Sequence, residues 1–193
     1  MEIDWYDSNL GTIKIDDIEE KLMSYGSLTS DDLAKRKDCI TVFNNKEGTR
    51  MDMYHRLKEI MHVEAYGKPF NNWFPTYTDY REKLKKMGNF KFNFCPENSL
   101  YPGYYTEKCF HAKLSGCIPI YFADPHFTND FRKEAIINMY DYLNLDDLEN
   151  FLNEINNEYE YLAKLANEPL LSKMPNLDSV KNFLYKSINT IIK

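Results

Sequence analysis

The chain has 193 residues, of which 43% are hydrophobic and 28% are charged, a composition typical of a folded globular domain. Its formal net charge of −6 argues against a nucleic-acid-binding protein, which needs an excess of basic residues to hold the phosphate backbone. No apolar stretch approaches the roughly 20 residues of a membrane-spanning helix, and the acidic start MEIDWYD lacks a signal-peptide core. We therefore expect a cytoplasmic protein, or the soluble part of a larger one.

The four cysteines do not form a metal-binding pattern. None belongs to a CxxC pair, and no histidine stands at the spacing of a zinc site from them. Three of them, Cys39, Cys95 and Cys117, lie in or beside apolar runs. We predict that the cysteines are small buried side chains of a protein from a reducing compartment.

The first 37 residues carry no obvious chemistry and are predicted to be a leading or linking segment with short helices. Residues 16–25 suit one amphipathic helix, and residues 29–37 suit a second, capped by Thr29 or Ser30. Residues 38–193 are predicted to form one domain that ends in a long helix. The apolar stripe of that helix, at residues 176–192, is predicted to pack against another surface.

From residue 39 onward, short apolar strands alternate with helices. The predicted strands are 39–43, 63–67, 90–95, 118–122 and 135–139, and the predicted helices are 49–61, 77–87, 106–115, 146–155 and 176–192. This alternation predicts an α/β fold with a Rossmann-like parallel sheet that is covered by helices on both faces. Ligands of such sheets bind beyond the carboxyl ends of the strands. The side chains expected at that edge are Arg50, Glu97, Asn98, Glu107 and Lys108.

The stretch at residues 93–108, NFCPENSLYPGYYTEK, is the strongest candidate site. It runs from a strand through a Pro-Gly turn to Thr106, which is a suitable N-cap for the next helix. The amide N–H groups of a helix start bind anions, and Lys108 adds a positive charge there. The carboxylate of Glu107 suits the two hydroxyls of a ribose. We interpret the stretch as a nucleotide diphosphate site, and the alternative is a capped helix with a solvated first turn.

Arg50 supports this interpretation from another part of the chain. It starts a predicted helix, where the helix dipole disfavours a cation unless an anion is also present. The alternative is a solvated surface arginine. The sequence has no DxD triplet, no GxGxxG loop and no Walker lysine loop. We therefore expect Arg50, Lys108 and helix-start amides, rather than a divalent ion, to neutralise a diphosphate.

At this point the sequence resembles the α1,3/4-fucosyltransferases of glycosyltransferase family 10. The residues FKFNFCPENSLYPGYYTEK are similar to the family pattern YKF-x-LAFENS-x-x-x-DY-[IV]-TEK, although Pro96 replaces an aromatic or apolar residue. The strand IPIY is similar to the family's VPVV, and the segments at 50–67 and 135–155 also follow family patterns in order. The resemblance covers roughly residues 38–166.

The resemblance implies the C-terminal, donor-binding domain of a GT-B glycosyltransferase that uses GDP-fucose and inverts the anomeric carbon. In the family, the matched arginine and lysine contact the diphosphate, and the glutamate of TEK holds the ribose. The remaining matched positions line the same site, with the first glutamate a possible fucose contact. The implied donor-binding residues are Arg50, Glu97, Asn98, Tyr104, Glu107 and Lys108.

The family's acceptor domain precedes the donor domain and supplies the catalytic base, and residues 1–37 are too short to form it. The resemblance therefore implies a donor half with no catalytic residue of its own, with a glycan acceptor and an acceptor-binding domain or subunit as partners. No cofactor or essential metal is expected. Two alternatives stay open, a non-catalytic GDP-sugar-binding module and a transferase that uses another GDP-sugar.

Overall fold

A five-stranded parallel sheet forms the centre of the fold. The computed structural model describes residues 5–7, 11–13, 20–46, 50–72, 80–122, 124–142, 144–174 and 176–191. The strands are β1 Trp5–Asp7, β2 Gly11–Ile13, β3 Lys37–Val42, β4 Val63–Tyr66, β5 Phe90–Phe94, β6 Ile118–Tyr121 and β7 Ile137–Asn138. β1 and β2 form an antiparallel hairpin, and the sheet has the order β4-β3-β5-β6-β7 with every pair parallel.

Seven α-helices and a further helical stretch at residues 20–23 lie within the described ranges and connect or cover these strands. The seven are α1 Ser30–Ala34, α2 Arg50–Ile60, α3 Tyr80–Met87, α4 Glu107–Leu114, α5 Leu145–Ile155, α6 Tyr159–Asn167 and α7 Leu177–Ile191. Short 3₁₀ helices occur at Lys68–Phe70, Pro125–Asn129, Lys133–Ala135 and Met139–Asp141. None of the described helices is long and apolar enough to span a membrane.

The two faces of the sheet bury different helices because successive side chains of a strand point to opposite faces. Cys39 of β3 packs in a core with α2, α5 and α6, whereas its neighbour Ile40 packs with α3 and α4. Ile120 and Tyr121 of β6 divide in the same way. The predicted parallel sheet with helices on both faces is confirmed. All four cysteines are buried free thiols, as predicted.

The described part of the leading segment packs on this domain. Thr29 forms a capping box with Asp32 at the start of α1, so the predicted cap is confirmed. Helix α1 ends at Ala34, and Lys37 already belongs to β3 rather than to the predicted helix. Asn167 of α6 holds the segment through bonds of 2.8 Å from the Leu28 N–H and 2.7 Å to the Leu28 carbonyl. Residues 16–19, the start of the other predicted helix, lie outside the described ranges, and residues 20–23 of that helix are helical.

The structure differs from the predicted elements, or leaves a prediction open, in three places. The predicted strand at 135–139 is a two-residue strand between two 3₁₀ helices. Helix α6 and the β1–β2 hairpin were not predicted at all. The apolar stripe of α7 does not pack against the described residues, since Phe183 is 69% exposed and Val180, Leu184, Tyr185 and Ile188 are at least half exposed. The amphipathic pattern therefore identified the helix but not its surroundings.

Gly67 ends β4 in a conformation that only glycine adopts readily, with φ of 119°. A Cβ atom there would lie 1.9 Å from the carbonyl oxygen of Phe43, just beyond the end of β3. The glycine thus lets the chain leave β4 in close contact with the segment that leads to Arg50. This close approach shapes the carboxyl edge of the sheet.

The contacts of the Glu64 carboxylate, on β4, predict that the stability of the fold depends on pH. The carboxylate pairs with Lys37 of β3 and, at 3.1 Å, with Lys86 of α3, and it accepts a 2.8 Å bond from the Tyr66 hydroxyl. Burial opposes its ionisation, but the bonds from Lys37, Tyr66 and Lys86 prevail and lower the pKa of Glu64 to about 2. The folded state therefore binds fewer protons than the unfolded state between about pH 5 and pH 2.

The stabilisation by ionised Glu64 is fully present above the pKa that Glu64 has in the unfolded chain. It is lost as the pH falls through the lower pKa that Glu64 has in the folded protein. We expect Glu64→Gln to be less stable than the parent at pH 7 and the difference to shrink as the pH falls from about 5 to 2. Urea titrations at several pH values measure this difference in the free energy of unfolding. The control is the variant Glu154→Gln, which changes an exposed glutamate. A difference that stays constant over this range contradicts the prediction.

Candidate functional site

The strand order places a crevice between the carboxyl ends of β3 and β5. From β3 the chain goes first to β4 on one side and then to β5 on the other, which creates a topological switch point between β3 and β5. Ligands of doubly wound sheets bind at such points. The segment after β3 leads to Arg50, and the segment after β5 begins with Glu97 and Asn98. These are the residues that the sequence predicted for this edge.

Arg50 and Asn98 meet across the switch point. Arg50 is the first residue of α2 and only 3% exposed, so it is not a solvated surface arginine. Its Nη2 donates to Asn98 Oδ1, and its Nη1 donates to the carbonyl of Asn45 at 2.9 Å. Its guanidinium carbon also lies 5.8 Å from the centroid of the Phe43 ring. The end of β3, the start of α2 and the loop after β5 are joined through this one side chain.

Glu97 is the centre of a buried hydrogen-bond network on the other side of the loop. Its side chain is only 1% exposed. It accepts bonds of 2.8 Å from the N–H and hydroxyl of Thr106, 2.8 Å from Lys108 Nζ and 2.5 Å from the Tyr121 hydroxyl. The network connects the end of β6, the start of α4 and the loop after β5. Burial and the contact with Glu97 raise the pKa of Tyr121, which keeps this hydroxyl a donor.

Thr106 occupies the N-cap position of α4, but its side chain does not cap the helix. Its hydroxyl donates to Glu97 and accepts a 2.7 Å bond from Lys108 Nζ instead. The predicted position of the helix start is confirmed, and the predicted capping bond is wrong. The charged Lys108 ammonium is a stronger donor to the hydroxyl oxygen than a backbone amide is, and the Glu97 carboxylate accepts the hydroxyl proton.

The loop between Glu97 and Thr106 contains the predicted Pro-Gly turn. The N–H of Tyr104 donates to the carbonyl of Tyr101 at 3.0 Å, and Gly103 has φ of 75°. Pro102 and this positive φ at the next residue define a type II turn. The turn exposes the Tyr104 side chain, and Glu107, the first residue of α4, is also exposed. Both are therefore accessible to a ligand.

Asp124, which follows β6, holds this turn in place. Its buried side chain accepts a 3.4 Å bond from the N–H of Gly103 and bonds of 2.9 Å from both the N–H and the ring Nδ1 of His126. Burial opposes its ionisation, but the bonds from His126, Tyr105 and Gly103 prevail and lower the pKa of Asp124. The Tyr105 ring also packs on Phe131, with 5.1 Å between ring centroids.

Behind α4, Lys83 of α3 lies 3.0 Å from the Nδ1 atom of His111. Burial and the neighbouring charges of Lys83 and Lys108 lower the pKa of His111 to about 3, so this imidazole is neutral at physiological pH. Within the described residues, no group of three or more His, Cys, Asp or Glu side chains could hold a metal ion.

The structure brings the predicted residues to one edge but gives them unequal exposure. Tyr104, Glu107 and Asn98 are exposed, whereas Arg50 and Glu97 are buried. The sequence reasoning missed the roles of Tyr121 and Asp124. Two signals could have identified them, because Tyr121 is the last residue of the adjacent strand and Asp124 precedes a proline at a strand exit. Both positions fall at the same carboxyl edge.

The fold and the candidate site define an α/β domain of the doubly wound class, with the candidate residues at the topological switch point. The particular family follows from comparison with known proteins. Residues 33–165 match the model of glycosyltransferase family 10 (fucosyltransferase), C-terminal region, and the chain belongs to this family. The resemblance noted in the sequence is confirmed.

Individual relatives agree with this assignment. The chain is 27% identical over 165 residues to the α-(1,3)-fucosyltransferase FucT of Helicobacter pylori, covering 85% of this chain and 34% of that protein. It is 27% identical over 129 residues to the human 4-galactosyl-N-acetylglucosaminide 3-α-L-fucosyltransferase 9, covering 65% of this chain and 35% of that protein. The chain thus spans about a third of the length of these relatives.

Solved structures show the same fold. A crystal structure of an α1,3-fucosyltransferase with GDP-fucose has a TM-score of 0.65 and 28% identity, covering 75% of this chain and 42% of that one. A crystal structure of an α1,3-fucosyltransferase with GDP has a TM-score of 0.65 and 27% identity, covering 76% and 42%. The fold predicted from the sequence therefore matches that of these α1,3-fucosyltransferase structures.

Proposed function

We propose that this chain is the donor-binding domain of a fucosyltransferase and binds GDP-fucose at the switch point between β3 and β5. The observation that carries the proposal is the buried network around Glu97, which holds Lys108 at the start of α4. An ammonium group has three N–H donors. Two of them are directed to Glu97 and Thr106, which leaves the third for an anion at the helix start.

The charges of the site suit a diphosphate. Lys108 lies at the positive end of the α4 dipole, and Arg50 lies across the crevice at the start of α2. Thr106 does not cap α4, so the first amide N–H groups of this helix keep their capacity to donate to phosphate oxygens. The proposal assigns the diphosphate to Arg50, Lys108 and these amides.

The exposed residues of the site suit the nucleoside. Glu107 lies one residue before Lys108 on the first turn of α4, where its carboxylate is accessible to ribose hydroxyls. Tyr104 and Asn98 lie on the same loop and line the crevice in this proposal. Glu97 has a different role from the one implied by the resemblance. Because its carboxylate is buried and already accepts several bonds, we assign it to positioning Lys108 rather than to touching fucose.

The transfer itself needs an acceptor and a base. We propose that a glycan hydroxyl attacks the anomeric carbon of fucose with inversion, and that GDP leaves with its charge held by Arg50 and Lys108. Two carboxylates described at the site, Glu97 and Asp124, are buried and hydrogen-bonded, and Glu107 is assigned to the ribose. The proposal therefore places the base that deprotonates the acceptor outside this domain.

Calorimetric titration tests the donor assignment. We expect GDP-fucose and GDP to bind the chain and UDP to bind at least about tenfold more weakly, a difference of about 1.4 kcal/mol. A GDP-sugar with a different hexose distinguishes fucose from other donors. Equal binding of GDP and UDP would contradict the proposal that the site selects guanine, but it would not affect the description of the fold.

A non-catalytic GDP-sugar-binding module is the second candidate. The carboxylates of Glu97 and Asp124 already accept hydrogen bonds within the protein, so neither is placed to act as a base. This observation favours the non-catalytic module. Incubating the chain with GDP-fucose, with and without a glycan acceptor, tests this second candidate in one direction, because a chain that lacks the base is expected to show no turnover under either proposal. Release of fucose or its transfer by the chain excludes a pure binder.

We also expect donor binding to be independent of divalent metal. The physical reason is that Arg50, Lys108 and the α4 amides supply the positive charge that a metal ion supplies in other diphosphate sites. Titration of GDP-fucose in the presence of EDTA should give the affinity measured with added Mg²⁺, within about twofold. A tenfold loss in EDTA, reversed by Mg²⁺, contradicts this expectation.

A further inference from the structure

The pair formed by Asp124 and His126 lies at the same sheet edge but has no role in the proposed donor contacts. It follows β6, whose neighbour β5 leads into the loop at residues 97–106, which we call the donor loop. The Asp124 carboxylate is buried, whereas the His126 side chain is 68% exposed. Two 2.9 Å bonds join them, one from the backbone N–H of His126 and one involving its ring Nδ1. The imidazole is therefore fixed at one end and open at the other.

Asp124 connects this imidazole to the donor loop. The same carboxylate accepts a bond from the N–H of Gly103 and one from the Tyr105 hydroxyl. These two residues flank Tyr104, which we assign to the donor crevice. A single buried side chain thus sets the position of His126 relative to the loop that carries the donor site.

The chemistry of the pair determines which end of the ring donates. The bonds that lower the pKa of Asp124 keep its carboxylate ionised, and an ionised carboxylate only accepts hydrogen bonds. The ring Nδ1 must therefore carry the proton that it shares with Asp124. In the neutral imidazole this leaves a lone pair on Nε2, at the exposed end of the ring.

We propose that His126 is a further donor-site residue, whose Nε2 forms a hydrogen bond with a hydroxyl of the sugar that the nucleotide carries. This inference rests on the proposed function and adds the sugar contact that Glu97 does not make. A ring held against an ionised carboxylate suits an uncharged hydroxyl and disfavours a phosphate oxygen, because the carboxylate repels a second negative charge. The phosphates instead lie with the cations Arg50 and Lys108, and the sugar extends toward β6 and His126.

The test compares GDP-fucose with GDP by calorimetry in His126→Ala. A single hydrogen bond predicts that His126→Ala binds GDP-fucose about threefold to tenfold more weakly than the parent, while its affinity for GDP is unchanged. His126→Gln, which keeps an acceptor atom at a similar distance from the backbone, should recover part of the loss. The control is His55→Ala, which removes another exposed histidine, on α2.

The GDP measurement separates the two possible failures. If the parent binds neither GDP nor GDP-fucose, the proposed function fails. If the parent binds both, and His126→Ala binds both as the parent does or loses affinity for both equally, the sugar contact is overturned. A ¹⁵N spectrum of the His126 ring in the unliganded chain gives an independent readout. It should show the proton on Nδ1 that the bond to Asp124 requires, and a ring whose Nδ1 is unprotonated would overturn the proposal.

Discussion

Lys108→Ala is expected to weaken GDP-fucose binding by about 10- to 100-fold, because it removes a charge-assisted bond of about 1.5–3 kcal/mol to the diphosphate. The same loss is expected for GDP, since the contact is to phosphate and not to sugar. Calorimetric titration at constant ionic strength measures both affinities.

The matched control is Lys164→Ala, which removes an exposed lysine from α6. Removing Lys108 also leaves the Glu97 carboxylate buried without its cation, which could destabilise the domain. The double variant Lys108→Ala/Glu97→Gln avoids that problem and should bind as weakly as the single variant. Unchanged affinity in folded Lys108→Ala would remove Lys108 from the site.

Glu97→Ala is expected to lower the free energy of unfolding by about 3 kcal/mol, the cost of breaking a buried ion pair by removing one partner. The reason is that Lys108, Thr106 and Tyr121 all donate to this carboxylate in a nearly inaccessible position. The side chain of Lys108 is only 18% exposed, so water replaces the lost partner poorly. Urea denaturation followed by circular dichroism measures the change.

Two further variants separate the contributions to this loss. Tyr121→Phe removes one donor and leaves the ion pair, so its cost should be about 1 kcal/mol. The exposed Glu154→Ala of α5 serves as the control and should change stability by less than about 0.5 kcal/mol. If Glu97→Ala is as stable as the parent, the Glu97 network does not hold the donor loop in place.

The two predictions together distinguish binding from positioning. Lys108 is expected to act on affinity through direct contact, and Glu97 is expected to act on stability and only through Lys108 on affinity. In a double-mutant cycle, the effects of the two substitutions on GDP binding should therefore not add. Additive effects would mean that Glu97 contacts the ligand independently.

Much of the fold could be predicted from local sequence patterns. The apolar runs that became β3, β5 and β6 are buried on both faces, as strands of a covered parallel sheet must be. The short strand β7 is less regular, because two 3₁₀ helices interrupt the apolar run around it. Helix α6 was missed although its apolar face is buried.

The sequence by itself determined the class of the domain, its family and the edge at which its polar residues gather, since periodicity and motif order depend on neighbours along the chain. Only the tertiary structure decided what these residues do there. The Glu97 carboxylate is buried because Lys108 of α4 and the Tyr121 hydroxyl of β6 both donate hydrogen bonds to it. Asp124 holds the donor loop through the N–H of Gly103 because β5 and β6 are neighbours and the segments that follow them lie side by side. Such contacts join residues far apart in the chain, and no local pattern encodes them.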